Sequence, residues 1–123
     1  MNRLMRITGH SMTPLLHAGE LVLMNEAAYH SHSPQRGDLV AAAPITCGGK
    51  KLVKYIAGVP GECIHVDDRV WRLGADEYFL LGQCAQDSLD SRAFGLVTRQ
   101  ELVGKVWLRL WPLTVLAGST SLS

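Results

Sequence analysis

Lys51-Leu52-Val53-Lys54-Tyr55-Ile56-Ala57-Gly58-Val59-Pro60-Gly61-Glu62 is a short apolar run with a lysine near its centre and a Pro-Gly pair at its end. Gly48-Gly49 stands just upstream, so the run is bounded on both sides by residues that punctuate strands. Reading Leu52 to Ala57 as a strand puts Leu52, Lys54 and Ile56 on one face, because side chains alternate along a strand. Lys54 then sits between aliphatic neighbours, whereas Lys50 and Lys51 lie nearer the glycine turn and its water.

The same texture extends in both directions. Short apolar runs at Glu20 to Asn25, Asp38 to Ala43, Cys63 to Val66, Val70 to Leu73, Tyr78 to Leu81 and Leu102 to Leu110 are predicted strands, separated by Gly, Pro and Asp. Asp67-Asp68 is a predicted hairpin turn and Gly48-Gly49 a second one. One short helical turn is expected after Ser11, where Pro14 is tolerated in a first turn. Another is expected from Thr98, whose spacing to Glu101 is that of a capping box. Residues 26–36 are polar, contain Pro34 and read as a surface loop. The predicted fold is mainly β, a single domain of short antiparallel strands with one or two short helical turns. Residues 1–112 would form the working domain, and 113–123 a strand end with a polar tail.

Bulk composition narrows the function. The chain has 123 residues, a hydrophobic fraction of 47%, a charged fraction of 19% and a net charge of +1. These values describe an ordinary globular domain with no basic stripe for nucleic acid. Cys47, Cys63 and Cys84 lack Cys-x-x-Cys spacing, which argues against a disulfide framework and a cysteine-based zinc site. His30 and His32 lie in a Ser/Pro-rich stretch without a partner cluster, so no metal or cofactor is expected. The N-terminus lacks the apolar core of a secretory signal, and no stretch reaches the ~18 apolar residues that span a bilayer. The expectation is a soluble, cytoplasmic protein. Any membrane contact would be peripheral, through Trp107, Trp111 and nearby leucines, although a core strand also accounts for those residues.

Ser11, in Gly9-His10-Ser11-Met12-Thr13-Pro14, gives Lys54 a chemical context. A serine hydroxyl attacks a carbonyl well only when a base removes its proton. A lysine serves as that base when neutral, and its ordinary pKa is about 10.4. Each unit of downward shift corresponds to about 1.4 kcal/mol, so burial in apolar surroundings is the available means. Periodicity alone equally allows Lys54 to lay its stem along the strand and extend its ammonium into water. A serine after Gly-His is also a common turn residue.

The ordered set of motifs resembles the signal peptidase I family of serine proteases. Ser11-Met12-Thr13-Pro14 with Gly19-Glu20 resembles its nucleophile box, and Arg36-Gly37-Asp38-Leu39-Val40 a structural box. Lys54 through Glu62 resembles its lysine box. Gly82 through Gly95, with Asp87-Ser88-Leu89-Asp90-Ser91-Arg92 inside it, resembles the last box, continued by Leu102-Val103-Gly104-Lys105. The resemblance implies a signal-peptidase-like β-rich fold with Ser11 as nucleophile, Lys54 as general base and Ser88 orienting that lysine. It implies an Asp90–Arg92 pair that holds the last box near the site. The Ser11 backbone amide would contribute to the oxyanion hole. Gly9 matches a position whose side chain supplies a second donor in some members, so here that donor would be a backbone group or water.

Two departures accompany the match. The last box usually opens Gly-Asp-Asn, whereas this chain has Gly82-Gln83-Cys84, and Tyr55 stands where arginine often follows the lysine. The serine box also begins close to the first residue, and a short stretch separates the lysine and last boxes. Such brevity resembles the short forms that mature nickel-type superoxide dismutase. The implied partner is a precursor protein with an N-terminal leader. The rival readings are a catalytically inactive peptide-binding module of the same fold and a self-cleaving repressor-type domain.

Overall fold

The computed structural model describes residues 2–7, 15–82, 89–110 and 113–116. Among these, ten strands run in chain order. They are β1 (Asn2–Arg6), β2 (Leu21–Asn25), β3 (Leu39–Ala42), β4 (Leu52–Gly58), β5 (Cys63–Val66), β6 (Arg69–Arg72), β7 (Glu77–Leu81), β8 (Val97–Thr98), β9 (Leu102–Leu110) and β10 (Leu113–Val115). An eight-stranded antiparallel sheet has the order β1-β2-β9-β3-β4-β7-β8, with β10 paired to β9, and curls into a half-barrel. A separate two-stranded sheet joins β5 and β6. The mainly β fold expected from the sequence is the fold observed.

The central strands explain the core. All four residues of β3 are buried, as expected for a strand covered on both faces. Leu39 and Ala41 join Ile7, Leu16, Val22, Met24, Val53 and Val106 on one side of the sheet. Val40 and Ala42 join Tyr29, Ile56, Tyr78, Leu80, Val97 and Leu102 on the other. Full burial of a side chain such as Leu80 contributes roughly 1.5–3 kcal/mol relative to exposure. The sheet curves where its ladders slip: β2 against β9 at Leu23/Met24, β3 against β9 at Ala41/Ala42, and β4 against β7 at Ile56/Gly58. Such irregularities bend a strand and increase its twist. Gly104 permits the closest approach, since a Cβ there would stand 2.6 Å from Met24 Cγ and 2.8 Å from the Asn25 carbonyl oxygen.

Turn chemistry follows the sequence closely in places. Asp67 and Asp68 occupy the left-handed region at φ 52° and 63° and close the β5–β6 hairpin. Thr98 and Glu101 make the full capping box of a 3-10 turn over Arg99–Glu101. Gly48 and Gly49 both have positive φ, but they end a longer β3–β4 connection that includes a 3-10 turn at Ile45–Cys47. Strand β1, the short β8 and the helical turn α1 (Ser91–Phe94) were not anticipated. The 26–36 loop is only partly a surface feature, because Tyr29 and Pro34 are buried within it. The helical turn expected after Ser11 lies outside the described residues. Trp107 is half-buried on β9 and its indole Nε1 donates to Asn2 Oδ1 at 2.9 Å, while Leu4, Leu113 and Val115 remain exposed. Thus β9 supplies the core mainly through Leu102 and Val106. No helix among the described residues is long and apolar enough to cross a membrane.

Candidate active site

Lys54 sits in the middle of β4 with only 2% of its surface exposed. Its Cα partner on β3 is Val40, and side chains directly opposite in an antiparallel pair share a face. Lys54 therefore takes the face of Val40, Ala42, Ile56 and Leu80, as the alternation of its strand predicts. The neighbouring residues Val53 and Ile56 are also buried, each toward a different cluster. Burial extends to both sides of β4, which a single amphipathic face would not require.

Ser11 and Gly9, within residues 8–14, and Ser88, within residues 83–88, lie outside the described residues. The flanks of the serine segment are described and firmly held. Ile7 donates its N–H to the Glu20 carbonyl at 2.8 Å and accepts from the Gly19 N–H at 2.8 Å. Leu16 is fully buried, and Arg109 Nη1 donates to the Leu15 carbonyl at 3.0 Å. Ile7 and Leu16 pack in the same cluster as Val53, on the face of β4 opposite the one that Lys54 shares with Val40 and Ile56.

The last motif is built around a buried carboxylate. On the far side of β4 from β3, Tyr55 pairs with Leu81 of β7, so Gly82 and Lys54 are the next residues along two paired strands. Asp90 is fully buried and caps α1. Its Oδ1 accepts from both the Arg92 N–H and Nε at 3.0 Å. Its Oδ2 accepts from Arg92 Nη2 at 2.8 Å and, more weakly, from the Gly82 N–H at 3.5 Å. Ser91, also fully buried, accepts from the Leu80 N–H through Oγ at 2.8 Å. Together Asp90 and Ser91 fasten the return of the chain onto the end of β7, beside the strand that carries Lys54. Burial alone would raise the Asp90 pKa, but the Arg92 hydrogen bonds and charge outweigh it and hold the carboxyl below its usual range. The Arg92 guanidinium is raised in turn by Asp90 and Asp67. The pairing of Asp90 with Arg92 expected from the sequence is present.

The remaining motifs shape the turns that flank β3 and β4. Gln35 and Asp38 form a turn, with the Gln35 N–H donating to Asp38 Oδ2 at 3.1 Å and the Asp38 N–H to the Gln35 carbonyl at 3.1 Å. Tyr29 donates its hydroxyl to the same Oδ2 at 2.7 Å, and burial followed by this bond raises the Tyr29 pKa. Gly37 donates to the Ile56 carbonyl at 2.8 Å, so the turn delivers the chain into β3 alongside β4. At the end of the lysine motif, Glu62 accepts from the Val59 N–H at 2.8 Å and pairs with Arg36. The Arg-Gly-Asp and Pro-Gly-Glu elements therefore brace each other. These roles for Arg36, Glu62, Tyr29 and Ser91 were not read from the sequence. Their partners are distant in the chain, and only the topology brings them together.

A polar cleft of about 300 Å³ lies elsewhere, lined by residues that include Tyr29, His30, His32, Tyr78 and Arg99. Lys54, Asp90 and Arg92 are not among the described residues that line it. Among the described residues no group of three or more His, Cys, Asp or Glu is placed to hold a metal ion. Cys47 and Cys63 are free thiols.

The curled antiparallel sheet thus seals a lysine into a central strand, with a buried carboxylate–arginine pair beside the adjoining strand. The family model described as signal peptidase, peptidase S26, matches residues 2–73 and 67–111. The chain belongs to this family of serine peptidases. It is 26% identical to signal peptidase I of Leptolyngbya laminosa over 86% of this chain and 67% of that protein. It is 32% identical to mitochondrial inner membrane protease subunit 1 of Schizosaccharomyces pombe, over 85% of this chain and 71% of the relative. It is 30% identical to mitochondrial ATP-independent inner membrane protease subunit 1b of Arabidopsis thaliana, over 85% and 67%. The chain thus spans about two thirds of the length of these relatives, and as little as 62% for a probable signal peptidase I-2 of Synechocystis.

Proposed function

We propose that the protein is a serine endopeptidase with a Ser11/Lys54 dyad that removes an N-terminal leader from a precursor protein. The observation that carries this reading is the burial of Lys54 inside the part of the chain that matches the signal peptidase family. Burial in a low-dielectric core penalises an ammonium, which is the bias a lysine base requires. In the proposed reaction Lys54 takes the Ser11 hydroxyl proton as Oγ attacks the scissile carbonyl. Lys54 then returns that proton to the departing N-terminal amine and, neutral again, activates the water that releases the acyl group. The Ser11 amide, with Gly9 backbone or water, would stabilise the oxyanion. Ser88 would orient the lysine, and the Asp90–Arg92 loop would hold Ser88 in range.

The relatives' names, signal peptidase and inner membrane protease, support a precursor substrate whose leader is cut off. A finer reading takes that precursor to be nickel-type superoxide dismutase, motivated by the short distance between the lysine and last motifs. Incubating purified protein with candidate precursors and measuring intact mass tests both levels. A single cut at the leader boundary, absent in a folded Ser11→Ala variant, is the expected result. Binding without a cut would favour the inactive peptide-binding module, for which the altered Gln83-Cys84 opening of the last motif speaks.

A further inference from the structure

The β5–β6 hairpin reaches the candidate site from outside the main sheet. Its base is packed: a Cβ at Gly58 of β4 would stand 3.0 Å from both Ile64 Cδ1 and Leu73 Cδ2. Trp71 also meets Phe79 of β7 edge-on with ring centroids 4.9 Å apart. Its tip is held differently. Asp67 Oδ2 accepts from Arg92 Nη1 at 3.0 Å, with the Asp67 side chain 64% exposed. That guanidinium uses its other face to grip both oxygens of buried Asp90, which bonds the Gly82 and Arg92 amides.

Aspartate suits a two-residue hairpin with positive φ, as asparagine and glycine do, so the turn accounts for the residue type but not for the ion pair that Asp67 makes. Asp68 occupies the second position without any ion pair among the described residues. Among the described residues, Asp67 joins the hairpin tip to Arg92. Fixing one end of the Arg92 guanidinium limits the orientations from which it can meet Asp90, and so limits where Asp90 meets Gly82, the residue beside Lys54 on the paired strand.

We propose that Asp67 is a positioning residue: it clasps the hairpin tip to Arg92 and thereby holds the Asp90–Arg92 pair against Gly82 at the end of β7 for the cleavage step. This rests on the peptidase reading for its kinetic consequence, but not for its structural one. An ion pair so exposed is weak and screened by salt, and that property makes it separable from a purely structural role.

The test compares wild type, Asp67→Asn and Asp68→Asn. Asparagine suits the left-handed turn, so both variants should fold. Cleavage of a precursor-derived peptide by Asp67→Asn should show kcat lowered about two- to fivefold, the scale of an exposed ion pair, with KM little changed. Raising the salt concentration should lower the wild-type rate toward that of Asp67→Asn, whose own rate should be nearly insensitive to salt. Asp68→Asn should behave as wild type. Wild-type rate and salt response in Asp67→Asn would overturn the proposal. Amide exchange at Gly82 and Arg92 supplies an arm that needs no activity. Faster exchange in Asp67→Asn supports the clasp even if no variant cuts, which would count against the peptidase reading alone. Unchanged exchange overturns the clasp.

Discussion

Glu62–Arg36 and Asp90–Arg92 are two carboxylate–guanidinium pairs in contrasting settings. In the first, the side chains of Arg36 and Glu62 are 58% and 29% exposed. In the second, Asp90 is 1% exposed and Arg92 25%. Both carboxyls are held below their ordinary pKa, yet for different reasons. For Glu62 the leading cause is the Val59 N–H, with Arg36 behind it. For Asp90, burial opposes ionisation, and the Arg92 bonds must overcome it. The exposed pair trims a turn that the backbone has already formed. The buried pair holds α1 against Gly82 beside Lys54, because Asp90 has no water to substitute for Arg92.

Removing one buried partner should therefore produce the largest effect. Asp90→Ala leaves a half-buried guanidinium and the Gly82 and Arg92 amides without their acceptor. A loss of stability on the order of 3 kcal/mol is expected in urea denaturation near neutral pH. A loss below 1 kcal/mol would erase the distinction between the two pairs. Gly104→Ala provides an intermediate case that involves no charge. The added methyl would meet a backbone carbonyl that cannot swing aside, and a cost of roughly 1–3 kcal/mol is expected, read from the same denaturation series.

Acid separates the pairs by linkage. Because the folded pKa of Asp90 is depressed, its contribution is fully present above the unfolded carboxyl value, about 3.9. It is lost as pH falls through the lower folded value. Thermal melts from pH 7 down to pH 2 should show a steep loss below about pH 4 in wild type, and a shallower one in Asp90→Asn. The smallest effect belongs to the exposed pair. Glu62→Gln retains an oxygen acceptor for the Val59 N–H, so its melting temperature should stay near wild type, while Glu62→Ala should lower it more. A larger drop for Glu62→Gln than for Glu62→Ala would mean that charge, not the backbone bond, governs that turn.

Much of the strand framework was legible because burial writes itself into alternation. The strands Cys63–Val66 and Leu102–Leu110 appear with the expected bounds, and the phase of Leu52, Lys54 and Ile56 holds. Strand β1 escaped because Asn2-Arg3-Leu4-Met5-Arg6 is an edge strand with mostly exposed side chains, so nothing in it has to alternate apolar with polar. Turn α1 escaped because it is four residues long and depends on the Asp90 cap. Within the site, the family motifs pointed to Lys54, Asp90 and Arg92. They did not point to Ser91 or Asp67, whose partners Leu80 and Arg92 are 11 and 25 residues away. Such long-range pairings leave no local pattern. Tyr29 shows the same limit: it is polar at its tip and lies in a polar loop, but Asp38 draws it into the core.

The central claim is that a lysine enclosed in a β-sheet serves as the base for a serine. Its most direct test is intact-mass analysis of a cleavable precursor after incubation with Lys54→Ala, with circular dichroism used to establish that the variant is folded. The account expects uncut precursor under conditions where wild type cleaves to completion. Cleavage at the wild-type rate by folded Lys54→Ala would contradict it.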